Sequence, residues 1–108
     1  KDIVTDKDTF FRITEILRER LMHHLRDELP YSLECSIDNF EEKEKIVMID
    51  LLIKTKKDAH KKIIIGKGGS LLKRVGTEAR KEIETLVDKK VFLTTQVKAI
   101  KRGQNRGL

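Results

Sequence analysis

The residues best suited to chemistry form a short glycine loop, Gly66-Lys67-Gly68-Gly69, a little past the middle of the chain. Three isoleucines precede this loop, and a basic segment with helical spacing of its apolar residues follows it. Glycine allows a backbone to approach a ligand closely and reaches positive φ at little cost. A loop that opens into a helix directs free N–H groups and a partial positive charge at its ligand. The loop therefore predicts binding of a sugar-phosphate backbone.

The spacing of these glycines excludes two familiar nucleotide-binding loops. A Walker loop needs a second glycine five positions after the first, followed by lysine and serine or threonine, and no such residues follow Gly66. A dinucleotide fingerprint starting at Gly66 and Gly68 would need a third glycine where Leu71 stands. A polymeric phosphate ligand fits the pattern better than a mononucleotide or a dinucleotide does.

Positive charge collects around the loop. The 108 residues have a net charge of +6, but residues 1–53 carry 8 basic and 13 acidic side chains, a balance of −5. Residues 54–74 carry 8 basic side chains and one acidic side chain, a balance of +7, and residues 75–108 have a balance of +4. A basic region centred on a glycine loop is the electrostatic pattern expected of a nucleic-acid-binding surface.

Other candidate chemistry is weak. His23 and His24 are adjacent on a predicted helix and point about 100° apart, so they cannot face one metal ion together. Cys35 is the only cysteine, forms no metal motif, and is expected to pack as a small apolar residue. His60 lies among lysines and is interpreted as a surface or phosphate-contact residue. No catalytic or metal-ligating grouping is present, so we expect no enzyme activity and no cofactor in this chain.

The size of the chain predicts one domain with one modest core. The longest aliphatic runs contain about four residues, whereas a bilayer-spanning helix needs about twenty, so no transmembrane segment is expected. The first residue is Lys1 rather than methionine, and we expect a piece of a longer protein.

Periodicity predicts six elements in the order α-β-β-α-α-β. Apolar residues recur every three or four positions from about Asp8 until Pro30 stops the first helix. Alternation predicts strands at 31–40 and 46–54, joined as a hairpin by a loop of about five residues. A short helix at 57–64 precedes the glycine loop, and a helix that Ser70 caps continues to about Val87. A third strand spans 91–100, and the four phenylalanines are expected in the core.

This order, with the glycine loop between the last two helices, resembles a KH domain of the type II, prokaryotic topology. The match extends to the C-terminal domain of the Era GTPase family, which the segments 15–21 (Glu-Ile-Leu-Arg-Glu-Arg-Leu) and 28–32 (Glu-Leu-Pro-Tyr-Ser) resemble. Ile65-Gly66, Gly69, Lys73, Gly76 and the run Glu78-Ala79-Arg80 resemble the loop and second long helix of that family.

The resemblance implies an α+β fold in which helices cover one face of a three-stranded sheet. It also implies a KH domain at 8–101, while the residues themselves indicate a linker at 1–7 and a basic, flexible tail at 102–108. The family implies a cytoplasmic ribosome-assembly factor, peripherally membrane-associated in some relatives, while an organellar home stays open. Its GTPase domain, which binds GTP and Mg, would precede this chain, and its partners would be the small ribosomal subunit and the 3′ end of 16S-type rRNA.

A type II KH domain clamps about four nucleotides of a single strand. On that basis the expected RNA-binding residues are Lys62, Ile65, Gly66, Lys67, Gly68, Gly69, Ser70, Lys73 and Arg74. Two alternatives stay open at this point. The chain could be a KH module of another translation or transcription factor, or a protein-interaction domain that uses its N-terminal helix or hairpin edge without binding RNA directly.

Overall fold

A computed structural model describes residues 7–25 and 33–100 of the chain. These residues form three α-helices, three β-strands and one 3₁₀ turn. The elements are α1 (Lys7–Leu25), β1 (Glu34–Glu42), β2 (Ile46–Thr55), α2 (Asp58–Ile65), the 3₁₀ turn (Lys67–Gly69), α3 (Ser70–Val87) and β3 (Lys90–Ala99). The predicted α-β-β-α-α-β order and α+β class are confirmed. The predicted stop at Pro30 and the tail at 102–108 lie outside the described residues.

The sheet has the strand order β1-β2-β3. β1 pairs with β2 antiparallel, as expected for a hairpin, and β3 pairs with β2 in parallel. A parallel pair needs a long connection that crosses the sheet, and here α2, the glycine loop and α3 together form that connection. The glycine loop therefore lies inside the crossover between two hydrogen-bonded strands.

The hairpin differs from its prediction in two details. Its loop contains three residues instead of about five, because the N–H of Lys43 donates to the carbonyl of Ile46 at 2.8 Å and closes the turn early. The register of β1 also shifts between Ile37 and Asn39. This bulge changes the alternation of the strand, and Phe40 then packs on the core side against Phe10, with ring centroids 4.9 Å apart.

One core lies between the helices and one face of the sheet. α1 and α3 each present a stripe of buried residues spaced four apart, which is the interval that brings side chains to one side of a helix. The residues of these stripes are Ile13, Leu17, Leu21 and Leu25 on α1, and Val75, Ala79, Ile83 and Val87 on α3. They belong to the same cluster as Val47, Ile49, Leu51 and Ile53 of the central strand.

Ion pairs also join α1 to α3. The Nε2 atom of His24 lies 2.9 Å from Oε1 of Glu78, and the Nε atom of Arg20 lies 3.1 Å from Oε2 of Glu82. A residue later on α1 thus pairs with a residue earlier on α3, so the two helices run antiparallel. Glu78 and Glu82 therefore connect two elements of the fold.

Two of the phenylalanines expected in the core lie at the surface. Phe11 is 61% exposed on α1, and Phe92 is 54% exposed on β3. Phe92 follows the buried Val91 on a strand, so it points to the sheet face opposite the helices. Phe11 lies on α1 outside the buried stripe, which contains only the residues spaced four apart from Ile13.

Candidate nucleic-acid interface

The helix that leads into the glycine loop is anchored by one side chain. α2 has eight residues, and Ile64 is its only buried one. Ile63 and Ile65 are partly buried and pack against the core from either side of Ile64. α2 packs against β3 and α3, so its end is held between the third strand and the long helix. The apolar run that precedes the glycines therefore fixes the position from which the loop projects.

The backbone of the loop turns sharply at Gly66. Gly66 has φ 78° and ψ 174°, and its N–H donates to the carbonyl of Lys62 at 2.9 Å, which ends α2. The N–H of Gly69 then donates to the carbonyl of Gly66 at 3.1 Å, and the N–H of Ser70 donates to the carbonyl of Lys67. These bonds form a tight 3₁₀ turn, and the amides of Lys67 and Gly68 are not among its donors.

The three glycines of the loop are required to different degrees. All three have positive φ, at 78° for Gly66, 63° for Gly68 and 78° for Gly69. A Cβ atom at Gly66 would lie 2.6 Å from Cβ of Leu71 and 2.9 Å from its backbone nitrogen, which is closer than any real contact. A Cβ at Gly68 or Gly69 would meet nothing within 4 Å. Sterics therefore demand glycine at position 66, and conformation alone favours it at the other two.

The structure brings the expected site residues together in one contiguous segment, since they lie on the end of α2, the loop and the start of α3. The exposed members of this set are Lys62, Lys67, Gly68, Ser70, Lys73 and Arg74, and the partly buried members are Ile65, Gly66 and Gly69. Among the residues that the structure describes, no carboxylate forms an ion pair with the four basic side chains of this set. Their charges therefore face solvent, as a phosphate-binding surface requires.

The prediction that Ser70 caps α3 is wrong. Ser70 already has helical backbone angles, the cap position is occupied by Gly69 in the left-handed conformation, and no side chain caps the helix there. A left-handed glycine turns the chain into the helix without the side-chain acceptor that usually occupies an N-cap. The first turn of α3 therefore presents its N–H groups without a serine oxygen over them, a feature that the sequence pattern did not indicate.

His60 lies on α2, close to the predicted site, and is partly buried. Its Nδ1 atom is buried and has no hydrogen-bond partner within the described part of the chain. The sequence had indicated a surface or phosphate-contact role. The structure places the imidazole at the boundary of the basic region, half covered by its neighbours.

The carboxylates with lowered pKa belong to the scaffold and not to the loop. The pKa of Glu78 is lowered chiefly by its hydrogen bond with His24. The pKa of Glu84 is lowered chiefly by the backbone N–H of Val91, which donates to its Oε2 at 2.9 Å, and Arg80 adds to this effect at the same distance. Glu84 thus connects the end of α3 to the start of β3.

Cys35 packs against the core from β1, as expected, but is only partly buried. Loss of hydration around the sulfur raises the pKa of the Cys35 thiol to about 12, with Arg18 opposing the shift and Glu15 adding to it. Across residues 7–25 and 33–100, no three His, Cys, Asp or Glu side chains are grouped to hold a metal ion. Within the same ranges, neither long helix contains an apolar stretch that could cross a bilayer.

The arrangement of a glycine loop between two helices in a β-α-α-β crossover agrees with a family comparison. The KH domain family matches residues 28–104, more than two thirds of the chain. The chain belongs to the KH domain family. The KH match covers the hairpin, both helices that flank the glycine loop and the third strand, so the loop described above is the Gly-x-x-Gly loop that characterises KH domains.

The relatives of this KH domain are longer proteins. The GTPase Era of Neisseria meningitidis is 44% identical over 103 residues, which cover 95% of this chain and 33% of the relative. An Era structure from Aquifex aeolicus bound to GDP·AlF4− superimposes with a TM-score of 0.81 at 31% identity, over 97% of this chain and 36% of that one. An Era structure in complex with MgGDPNP and nucleotides 1506–1542 of 16S ribosomal RNA gives a TM-score of 0.80 at 28% identity, over 98% and 38%. This chain spans about a third of the length of these relatives.

Proposed function

We propose that this chain is the single-stranded RNA-binding KH domain of an Era-like GTPase, and that it binds the 3′ end of 16S-type rRNA during assembly of the small ribosomal subunit. The observation that carries the proposal is the similarity, over nearly the whole chain, to an Era structure in complex with a segment of 16S ribosomal RNA. The exposed basic side chains around the glycine loop support it independently, because they place unpaired positive charge where a phosphate chain could lie.

In this proposal the glycine loop holds the RNA backbone. Because the amides of Gly66, Gly69 and Ser70 already donate inside the loop, the amides of Lys67 and Gly68 are the ones that meet a phosphate. The exposed Lys67 side chain adds a charge at the tip of the loop. Lys62 precedes the loop, and Lys73 and Arg74 follow it on α3. These basic side chains continue the phosphate track on both sides.

Base recognition would depend on apolar contact and hydrogen bonds more than on stacking. The loop and the helix turns around it contain no aromatic residue. Ile65, partly buried beside the loop, provides an apolar surface for an unstacked base. Sequence-specific recognition of single strands commonly combines such contacts with hydrogen bonds to base edges. The proposal therefore expects selectivity for an unpaired strand over a duplex.

The direct test is fluorescence anisotropy with a labelled single-stranded RNA that matches the 3′ end of 16S-type rRNA. A scrambled RNA of the same composition and a duplex of the matched sequence serve as controls. Tighter binding of the matched single strand supports the proposal. Equal binding of all three RNAs, lost together as salt increases, would indicate a basic surface without KH recognition and would contradict it. Each phosphate neutralised contributes about −0.7 to the salt slope, so three or four phosphates predict a slope of about −2 to −3.

The loop itself is tested by the double substitution Lys67→Asp with Gly68→Asp. Two carboxylates would then face the phosphates, and RNA binding should be abolished. The fold should survive, because the space around Gly68 is open and aspartate tolerates positive φ better than most residues. The matched control, Lys81→Glu with Asn39→Asp, makes the same change in net charge at two exposed positions away from the loop. Equal RNA affinity in both double variants would remove the loop from the mechanism.

We further propose that nucleotide binding and hydrolysis reside in the part of the parent protein that this chain does not span. The relatives are named GTPases, and both Era structures contain a guanine nucleotide, whereas this chain covers little more than a third of each. The chain alone should neither bind GTP with Mg nor release phosphate from it, which a malachite-green phosphate assay measures. A role in ribosome assembly also places the parent protein in the cytoplasm, which fluorescence microscopy of a tagged parent would test.

A further inference from the structure

A second surface of the domain has the opposite character to the glycine loop. An open groove of about 630 Å³ lies between α1 and α3. Its apolar part consists of Phe11, Ile16 and Leu86, and its carboxylates are Glu15, Glu19 and Glu82. We call it the acidic groove.

The acidic groove lies far from the loop. The antiparallel pairs between α1 and α3 place the first half of α1 beside the last half of α3. Leu86 follows Ser70 by sixteen residues on one helix, and a helix rises 1.5 Å per residue, so the two sites are separated by about 24 Å along α3. An RNA strand held by a four-residue loop does not need this surface.

The acidic groove contains the most exposed large apolar side chain of the described residues. Phe11 is 61% exposed, whereas Ile16 and Leu86, which line the groove with it, are partly buried and pack against the core. An exposed aromatic side chain in an apolar part of a groove is the kind of anchor that protein interfaces bury. Phe11 is not needed to pack α1 onto the core, because the helix already buries a complete stripe of apolar residues without it.

Charge decides what kind of partner fits. Glu15 and Glu19 are one turn apart on α1, where like charges destabilise a helix, and within the described ranges neither forms an ion pair. Glu82 is paired with Arg20, and Arg12 is the one basic side chain in the lining. The acidic groove is therefore negative on a chain whose net charge is +6. Phosphates would be repelled from it, and lysine or arginine side chains would be attracted.

We propose that the acidic groove is a docking site for a basic peptide segment of a partner protein. In this arrangement an apolar side chain of the segment inserts beside Phe11, and its lysine or arginine side chains pair with Glu15 and Glu19. An amphipathic helix is the form of segment that suits a groove between two helices. The proposal does not rest on the RNA-binding function, so either can fail without the other.

The probe for a test is a 15-residue peptide with leucine at every third or fourth position and lysine at the others. One control peptide replaces each lysine with glutamate, and another replaces each leucine with alanine. Binding to the ¹⁵N-labelled chain is followed by chemical-shift changes and by anisotropy. The expected result is saturable binding of the leucine–lysine peptide alone, with shifts confined to α1 and the second half of α3. Equal binding of either control peptide, or shifts that map elsewhere, would overturn the proposal.

Variants of the chain sharpen the test. Phe11→Ser, and separately Glu15→Gln with Glu19→Gln, should each weaken peptide binding at least tenfold, because they remove the anchor and the charges respectively. The matched controls are Phe92→Ser, the other exposed phenylalanine, and Glu34→Gln with Glu41→Gln, two exposed carboxylates of β1. Equal losses in the controls would overturn the proposal.

Two further measurements decide between occupants of the groove. Sedimentation of the chain alone should show a monomer at concentrations used for peptide binding. A dimer that Phe11→Ser dissociates would assign the groove to a second copy and contradict the proposal. The Phe11→Ser variant should also bind RNA with the affinity of the unsubstituted chain. A loss of RNA binding would show that the groove belongs to the RNA surface.

Discussion

The glycine loop and the paired helices α1 and α3 are built in contrasting ways. Three of the four loop residues have positive φ, and no residue of the 3₁₀ turn is buried. The facing stripes of α1 and α3 instead contain eight residues, each at most 6% exposed. The structure of the loop thus depends on backbone conformation, whereas the packing of the two helices depends on the burial of apolar side chains. Substitutions should therefore separate the free energy of unfolding from RNA affinity, according to which region they touch.

Gly66 is the exception that joins the two regions. It belongs to the loop by position, but Leu71 packs against the place where its side chain would be. Gly68 and Gly69 have no such neighbour. Gly66 therefore contributes to the fold, whereas the remaining loop residues belong to the candidate RNA site.

The largest expected effect on stability lies in the helix pair. Leu17 of α1 is fully buried in the core that α1 shares with α3 and the sheet. Leu17→Ala therefore removes buried volume and leaves a cavity. The free energy of unfolding should fall by about 2–5 kcal/mol, measured by urea denaturation. Met22→Ala on the same helix is the control, since Met22 is 43% exposed. It should change stability by less than about 0.5 kcal/mol, and a similar loss in both variants would contradict the assignment of the core face.

The next largest effect on stability is expected at Gly66. Gly66→Ala should lower the free energy of unfolding by about 2–4 kcal/mol, because strain at positive φ adds to the contact with Leu71. Gly68→Ala places a side chain at φ 63° and ψ 21°, in the left-handed helical region and with open space around it, so its loss should be only about 1 kcal/mol. Urea denaturation of both variants, with RNA affinity measured below the transition, checks the difference. Equal losses would mean that neither the contact with Leu71 nor the extended ψ of 174° at Gly66 adds to the cost of positive φ.

A smaller effect has the opposite sign. Gly76 lies inside α3, where glycine is less favourable than alanine by about 1 kcal/mol. A Cβ there would lie 3.9 Å from Cγ2 of Thr95, which is ordinary van der Waals contact. Gly76→Ala should therefore raise the free energy of unfolding by about 0.5–1 kcal/mol and leave RNA affinity unchanged. A midpoint of thermal or urea unfolding below that of the unsubstituted chain would show that α3 needs glycine at this position.

The smallest effect is a pH dependence. Because the pKa of Glu78 is lowered in the folded state, its contribution is present above the ordinary value of 4.5 and is lost as pH falls through the folded pKa. Glu78→Gln should reduce stability slightly near neutral pH and flatten the loss of stability as pH falls from near neutral to below the ordinary pKa of 4.5. Urea midpoints measured across that range check this, with exposed Glu34→Gln as control. An unchanged acid slope would mean that the pair with His24 contributes nothing to folding in solution.

The elements of the fold could be predicted from the sequence because each follows a local rule. The stripe from Ile13 to Leu25 on α1, the alternation through Val91 on β3 and the glycines that interrupt α2 and α3 all appear in the sequence at their structural periods. The expected RNA-binding residues lie together in the structure because they are close to one another in the chain. Their contact with RNA stays a prediction.

The features that the sequence did not predict depend on contacts between distant residues. The bulge in β1 depends on its register with β2, and the pairing of His24 with Glu78 depends on the antiparallel packing of α1 on α3. The exposure of Phe11 could not be predicted because an apolar residue beside a buried stripe gives the same sequence pattern whether or not a neighbour covers it. The exposure of Phe92 follows from the alternation of β3, which places it on the face opposite Val91.

By itself, the sequence determined the periodic elements, the glycine loop and the uneven charge, since these depend on neighbours within a few positions of the chain. Tertiary structure alone decided that His24 pairs with Glu78, that the register of β1 shifts against β2, and that an acidic groove opens between α1 and α3. The physical reason is that burial, steric contact and hydrogen bonding between elements are properties of packed surfaces, and local periodicity does not contain them.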